Sequence, residues 1–446
     1  MMRKFSSILA QPFVGLLLIL GLHASTFAQG PSLSLSDAIR IALEKNFDIR
    51  VEEARTEIAA NNNSWANAGL YPNLTLQLAS NNRLSNVDNP ASFINGQFSN
   101  LGITGTLNTS WTIFNGFRVH ITKEKLDLLE GQSQGNAAIV VENSLQAVIL
   151  QYYNARVAEA QRDALAENLA LSRDRVRFEQ TRSDLGTGST FQLLTAQNAY
   201  YADSSAFLGQ ELALTTQLRN LAKLLGFDED TRLTLTDDLR ETFTSFNFGD
   251  LKGKMLSNNR TLQNQFVNLR ILQQDIDLAK SARYPTVTFN LGSTWSQNRF
   301  ELEGQGVARG SQLDFYGNFS LNFTLYGGGA ITRQIENADI QTRVTQIGID
   351  QLRLDMSHEL RNTFDLYTTR LELFNLAEAT LALARKNESI AEIRFQNGTL
   401  NSFNFRDVQL AFRNAALARN QALYNLLEAE TMLLRLTGGI LDLSSE

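Results

Sequence analysis

The chain states one plan twice, and this internal repeat constrains its fold more than any compositional figure. Leu33-Ser34-Leu35-Ser36-Asp37 opens the first copy, and Phe246-Asn247-Phe248-Gly249-Asp250 opens the second, with Asp250 standing 213 residues after Asp37. Tyr71-Pro72 returns as Tyr284-Pro285, Phe114-Asn115-Gly116 as Tyr326-Gly327-Gly328, Gly186-Thr187 as Gly398-Thr399, and Leu225-Gly226 as Thr437-Gly438. The spacing stays at 212–213 residues. Few side chains are identical, but the helix breakers and turn residues fall at matched places, so each copy is one structural unit. The units read as 29–226 and 246–438, with 227–245 as the connection and 439–446 as a tail.

Within each copy the hydrophobic period changes in the same order. An amphipathic helix, near 36–69 and again near 249–282, ends at the Tyr-Pro pair, because the residue before proline leaves the helical region. The period then becomes two. In 103–113 the odd positions are Ile103, Gly105, Leu107, Thr109, Trp111 and Ile113, and the even ones are Thr104, Thr106, Asn108, Ser110 and Thr112. In 315–325 Phe315, Gly317, Phe319, Leu321, Phe323 and Leu325 alternate with Tyr316, Asn318, Ser320, Asn322 and Thr324. The leading strands do the same around Leu74, Leu76 and Leu78 and around Val287, Phe289, Leu291 and Trp295. Strands are expected at about 73–81 and 101–113, and at about 286–297 and 314–325. The Ser-, Asn- and Gly-rich stretches 81–100 and 297–312 suit surface loops.

After each strand pair comes a very long helical segment. All five prolines lie at 12, 31, 72, 90 and 285, so 117–181 and 330–397 are free of the strongest helix breaker and rich in Ala, Leu, Gln, Arg and Glu. About 65 residues at 1.5 Å each would span roughly 100 Å. Each segment turns at a Gly-Thr tip and returns as a shorter helix with a seven-residue repeat: Leu194, Tyr201, Leu208, Thr215 and Ala222, then Leu410, Leu417, Tyr424 and Thr431. Such repeats predict coiled-coil hairpins over about 117–225 and 330–437.

The N-terminus addresses the chain for export. Arg3 and Lys4 precede an apolar run, 13–22, that leads to small residues and Ala28, the pattern of a secretory signal peptide cut after 28. The formal charge is −6, and loss of residues 1–28 removes Arg3 and Lys4 to leave −8. That balance argues against a nucleic-acid partner. There is no cysteine, which excludes disulfides, thiolate metal sites, a cysteine nucleophile and a lipidated N-terminal cysteine.

Alternation alone would also fit a half-buried sheet of a soluble protein, but export, strands long enough for a tilted span, and faces that are apolar on one side and polar but almost uncharged on the other favour a membrane barrel. Four strands cannot close one. An open edge in lipid leaves backbone groups unpaired at several kcal/mol each, so several chains must share the barrel. Two copies would give eight strands and a filled interior, whereas three would give twelve and the beginning of a lumen.

The order helix, strand pair, long helix, Gly tip and returning helix, stated twice, resembles the TolC family of outer-membrane efflux proteins, also called outer membrane factors, over about 33–438. The most specific stretch is Arg394-Phe395-Gln396-Asn397-Gly398-Thr399-Leu400-Asn401-Ser402-Phe403-Asn404-Phe405-Arg406-Asp407-Val408. It is similar to the family's Arg-aromatic, Gly-Thr tip followed by two aspartates three apart, which ring the periplasmic constriction in well-known members. Here Asn404 stands at the first of those positions and Asp407 at the second. The resemblance implies a mainly α fold with membrane β-strands, and a trimer sharing one 12-stranded barrel continued by an α-helical coiled-coil barrel. It implies a gate at Asp407 and Asn404 with a single acidic ring, and tips at Gly186, Thr187, Gly398, Thr399 and Leu400 that dock a periplasmic adaptor coupled to an inner-membrane pump. The first tip, from Arg177-Phe178 to Gly188, aligns with the second in two ways: Arg177-Phe178 matches Arg394-Phe395 with five extra residues, or a constant offset of 212 pairs Arg182 with Arg394. The constant offset is preferred because it needs no insertion.

No catalytic grouping stands out. His23, His120 and His358 are far apart, and neither GxSxG, a phosphate loop nor paired histidine ligands occur. Neither an enzymatic activity, a cofactor nor a resident metal is expected. The leading expectation is an outer-membrane exit duct of a tripartite efflux or type I secretion system, reaching into the periplasm and passing drugs, metal ions or proteins. A stand-alone trimeric porin is the alternative, and a tether or adhesin a third reading that leaves the polar strand faces without a role.

Overall fold

The structure is a computed structural model that describes residues 32–89, 91, 96–239, 243–302 and 306–440. The expected signal peptide and most of the expected tail lie outside the described residues. Each repeat begins with a two-residue strand or turn and a pair of short helices: β1 (Ser32–Leu33), α1 (Leu35–Lys45) and α2 (Phe47–Asn62) in the first, α5 (Phe248–Asn258) and α6 (Arg260–Ser281) in the second. Two long strands follow, β2 (Asn73–Val87) and β3 (Gly96–Asn115), or β5 (Thr286–Leu302) and β6 (Gly306–Asn322). A long helix and a returning one complete the unit: α3 (Arg118–Asp184) and α4 (Thr190–Leu224), or α7 (Ala330–Gln396) and α8 (Ser402–Leu436). The connection contributes β4 (Thr234–Leu235), parallel to β1. The protein is mainly helical with one principal sheet.

Each opening helix expected as one piece is two, and the break falls at an asparagine repeated at the 213-residue offset. Asn46 and Asn259 adopt extended backbone (ψ 128° and 119°) and cap the second helix of each pair with their side-chain oxygen. Their amide nitrogens donate across the fold, Asn46 to the carbonyl of Leu224 at 2.9 Å and Asn259 to that of Leu436 at 3.1 Å. Those carbonyls sit at the C-termini of α4 and α8, where intrahelical partners run out. The glycines that end the same helices, Gly226 and Gly438, have φ near 70°, and a Cβ on either would lie 2.9 Å from the carbonyl oxygen of Lys45 or Asn258. Asparagine and glycine therefore form a clasp, built twice, that ties each hairpin to the helix pair at its base.

The clasps border two cores. Ala38, Ile39, Ala42, Leu145, Val148, Ile149, Leu221 and Leu225 are buried in one, and Met255, Leu262, Ile349, Leu360, Leu423, Leu426 and Leu433 in the other. Tyr152 fixes the first core to the connection: its hydroxyl donates to the Leu33 carbonyl at 3.0 Å and accepts from the Asp237 amide. Burial pushes that phenol up to about 12.

The sheet runs β2-β3-β5-β6, antiparallel throughout, so the two repeats meet at β3 and β5. At the hairpin ends its strands reach further than the alternation predicts, whereas β6 stops at Asn322, short of the expected Phe323, Thr324 and Leu325. Asn81–Val87, Gly96–Asn100 and 297–302 with 306–312, expected as loops, continue the ladders. Polar side chains there do not end a strand, because the hydrogen-bond ladder itself is satisfied. One register shift, between Thr112 and Phe114, marks the helical end of β3.

A second correction concerns the seven-residue repeats. In α8 the buried line is Gln409, Ala416, Leu423 and Glu430, one residue before the expected Leu410, Leu417, Tyr424 and Thr431; of those, only Thr431 is fully buried. In α4 Ala196 and Asp203 are buried on the side of α3, and Gln210 donates there to the Ala158 carbonyl, while Leu194, Tyr201 and Leu208 are 55%, 66% and 62% exposed. Of the expected α4 heptad, Leu194, Tyr201 and Leu208 thus lie outside their own hairpin, Thr215 is half-buried, and Ala222 is buried in the first core. Among the described residues no helix is long and apolar enough to cross a membrane.

Replacing Asn259 with alanine removes both a helix cap and the bond to Leu436, and is expected to cost about 1–2 kcal/mol. Gly438→Ala, which forces a Cβ into positive φ and against a backbone carbonyl, should cost at least as much. Thermal unfolding of the detergent-solubilised variants checks both.

Candidate gate and hairpin tips

The two tips are built alike. In the first, Gly186 (φ 72°) turns the chain, and the Arg182 carbonyl accepts the amides of Thr187 at 2.9 Å and Gly188 at 2.8 Å together with the Thr187 hydroxyl. In the second, Gly398 (φ 68°) turns it, and the Arg394 carbonyl accepts from the amides of Thr399 at 2.8 Å and Leu400 at 3.1 Å and from the Thr399 hydroxyl. Arg182 and Arg394 hold equivalent places, so the constant offset of 212 is the structural one. Neither glycine has a neighbour within 4 Å of a Cβ position, so backbone conformation alone requires it.

Phe178 and Phe395, which the other alignment would make equivalents, are contact partners. Their rings lie 4.6 Å apart, and Phe395 stacks on Phe405 at 4.5 Å. This aromatic cluster joins α3, α7 and α8 just above the tips and sets which way α8 faces. With Phe405 buried, Asn404 and Asp407 are exposed. Three residues apart on a helix, they share one face. Asn404 lies in the first turn, where its amide is capped by Asn401 at 2.8 Å.

Between Phe405 and Asp407, Arg406 points the other way. It grips Asp203 of the first hairpin with two bonds, Nη1 to Oδ2 at 2.6 Å and Nη2 to Oδ1 at 2.8 Å, and reaches Ser172 at 3.2 Å. Ser172 also donates to Asp203, and Arg413 adds a longer contact at 3.5 Å. Burial works to raise the Asp203 carboxyl, but the Arg406 guanidinium and the Ser172 hydroxyl outweigh it and hold the group below the usual carboxylate range. Burial lowers nearby Arg175 to about 10, with Arg406 adding to the effect. On α3 the inward line Leu165, Asn168, Ser172, Arg175 and Glu179 therefore turns from apolar to polar toward the tip while staying buried.

The sequence reading places Asp407, Asn404 and the tip residues but not this pair. Asp203 and Arg406 lie on different hairpins, 203 residues apart, and no local spacing connects them. A faint signal exists: a charge at a position otherwise in register with buried Ala196. The candidate residues form three groups, the exposed Asn404–Asp407 face, the first tip with Gly186 and Thr187, and the second with Gly398, Thr399 and Leu400. Among the described residues no cluster of His, Asp and Glu has the arrangement of a metal site.

The outer membrane efflux protein family model matches residues 38–227 and 251–439, once per repeat. The chain belongs to that family. No curated protein sequence matches it. Among solved structures it is similar to the outer-membrane channel OprN (18% identity, TM-score 0.68, covering 91% of this chain and 90% of that one) and to CusC (15%, 0.71, 92% and 93%). It is also similar to the CmeC outer membrane channel of Campylobacter jejuni (15%, 0.70, 91% and 85%). At these identities the likeness is one of fold, and it extends over nearly the whole of each chain.

Breaking the inter-hairpin pair has a sign set by burial. Asp203→Ala leaves the half-buried Arg406 without its counter-charge, and is expected to destabilise by about 3–5 kcal/mol. Because the folded pKa of Asp203 is depressed, its contribution is present above the unfolded value of about 3.9 and is lost as pH falls through the folded value. Limited proteolysis at the tips between pH 7 and 3 checks this, with Asp203→Asn lacking that acid-dependent step.

Proposed function

We propose that the chain is one third of an outer-membrane exit duct, a trimer whose strands close a 12-stranded barrel and whose hairpins continue it as a helical tunnel into the periplasm. The observation that carries this is the sheet. In the described chain β2 and β6 each have one unpaired side, while the face that bears Leu76, Leu78, Trp295, Phe315 and Phe319 is apolar and exposed. Such a sheet is stable in lipid only when both edges are paired, and twelve strands leave a lumen. The exposed heptad Leu194, Tyr201 and Leu208 supports the same assembly, since it offers the hairpins of a neighbouring copy an apolar seam. Membership of the efflux family and the channel architecture of the similar structures support passive conduction rather than catalysis.

In this reading cargo arrives from an inner-membrane pump through a periplasmic adaptor that docks on Gly186, Thr187, Gly398, Thr399 and Leu400. Leu185, Phe191 and Phe403 are exposed beside these turns, with the rings of Phe191 and Phe403 6.0 Å apart, and give the surface its apolar component. Asp407, repeated three times about the axis, would ring the constriction with negative charge, and Asn404 would add amides without charge. A single acidic ring attracts cations at close range and makes a weaker electrostatic barrier than two.

Single-channel recording in a planar bilayer, with the mass in detergent, tests this. A trimer of small, cation-selective conductance is expected. Each carboxylate within about 4 Å of an ion contributes ~1 kcal/mol even at the dielectric of water, so Asp407→Ala should weaken block by divalent cations by about tenfold or more. A large, always-open conductance indifferent to Asp407 would instead mark a stand-alone porin, and a water-soluble protein without conductance would overturn both.

A further inference from the structure

On the lipid-facing side of the sheet charge is confined to one place. In β3, β5 and β6 that side carries the odd-numbered residues and in β2 the even-numbered ones, as the register pairs Leu76 with Leu107 and Trp295 with Leu313 require. Along this face β2 presents Leu74, Leu76, Leu78, Ser80, Asn82, Leu84 and Asn86, and β3 is uncharged from Gln97 to Trp111. Arg83 and Asp314 have the opposite parity and face the lumen. What remains on the lipid side among the described strand residues is Arg299, Arg309 and Glu301.

Arg299 and Arg309 are directly opposed in the β5–β6 ladder. Both are exposed. Like charges directly opposite each other are destabilising, and Glu301, 3.4 Å from Arg299, offsets only one of them. Their height is equally specific. Twelve residues beyond Val287, at ~3.3 Å per residue and a tilt of roughly 40°, they stand about 30 Å above it, at the rim of an apolar band roughly 25 Å tall. Trp295 lies four residues below, about 10 Å at the same rise and tilt, where an interfacial aromatic belongs. The hairpin end is the one away from the helices, so in the duct this rim meets the outer leaflet.

We propose that Arg299 and Arg309 form a binding site for a phosphate of an outer-leaflet glycolipid headgroup, once per subunit. Directly opposed residues have Cβ atoms about 4.5–5.5 Å apart, close enough for two guanidinium forks to grip one phosphate, whose oxygens match their geometry. The bound lipid removes the repulsion between the arginines and anchors the rim of the barrel at a fixed depth. The site rests on the duct reading, because it needs a lipid-facing surface and the hairpin end outside.

The test reconstitutes the full-length protein into nanodiscs of zwitterionic phospholipid with a small fraction of diphosphorylated lipid A or of its dephosphorylated form, and measures retained glycolipid per trimer by native mass spectrometry. Wild type is expected to retain the phosphorylated form preferentially, and Arg299→Gln/Arg309→Gln to lose that preference by about tenfold, the worth of one charge-assisted contact. Arg299→Lys/Arg309→Lys should keep part of it. Equal retention by wild type and the glutamine variant would overturn the site, as would full competition by millimolar inorganic phosphate, which would mark a free-anion site. Entry into the discs without preference overturns the lipid site alone. A chain that enters no disc overturns the duct reading with it.

Discussion

Unpaired backbone in lipid is the constraint on which the rest of the structure depends. A soluble sheet tolerates two edges because water satisfies them, whereas in hydrocarbon each orphaned amide or carbonyl costs several kcal/mol. In the proposed duct the edges of β2 and β6 therefore could not be end points of the membrane structure. With four strands per chain, closure would require other copies, and their number would decide whether there is a lumen. The repeat gives each chain two strand hairpins and two helical hairpins, so in that duct one closure condition on the sheet would also set how many helices surround the axis.

Each helical hairpin is also tied to the helix pair at its base, and the tie is polar. Asn46 and Asn259 interrupt their helices where an unbroken helix would have maximised local hydrogen bonding. They recover the loss by capping the next helix and binding the exposed carbonyl at the end of α4 or α8. Gly226 and Gly438 then allow the backbone approach that keeps those bonds short. The same solution stands at both places although the neighbouring side chains differ, since Lys45 backs one glycine and Asn258 the other. What the two repeats share at the clasp is the asparagine, the positive-φ glycine and the backbone geometry they fit, not the side chains around them.

This explains what was legible beforehand. Turn glycines and the two-residue period are local, and they mark the hairpin tips and the strand pairs, whereas the Tyr-Pro pair marks a helix end only for α6, since α2 stops at Asn62. Polarity does not mark strand ends, because a ladder continues as long as its partner does, as Ser85 opposite Phe98 shows. The seven-residue repeats mislead for a related reason. Apolarity identifies a surface that must be covered but not by what, and Leu194, Tyr201 and Leu208 face away from their own hairpin while Ala196, Asp203 and Gln210 face into it. The Asp203–Arg406 pair is a contact between hairpins and left no periodic trace.

The distribution of polarity along the hairpins has a mechanical consequence. Near the base α3 contributes Leu145, Val148, Ile149 and Ala155 to an apolar core, whereas near the tip it buries Ser172, Arg175 and Glu179, and on α8 Gln409 is buried with neither amide atom hydrogen-bonded among the described residues. Apolar packing is non-directional and additive with area. A buried ionic seam is steeply dependent on geometry, and its Coulomb gain is largely cancelled by desolvation. The base is thus held by interactions that tolerate small movement, whereas the tip region combines the apolar cluster of Phe178, Phe395 and Phe405 with a few that do not. The Asp203–Arg406 pair is therefore the contact most sensitive to a small shift of α8 against the first hairpin, and Arg406 is adjacent in sequence to the exposed Asp407.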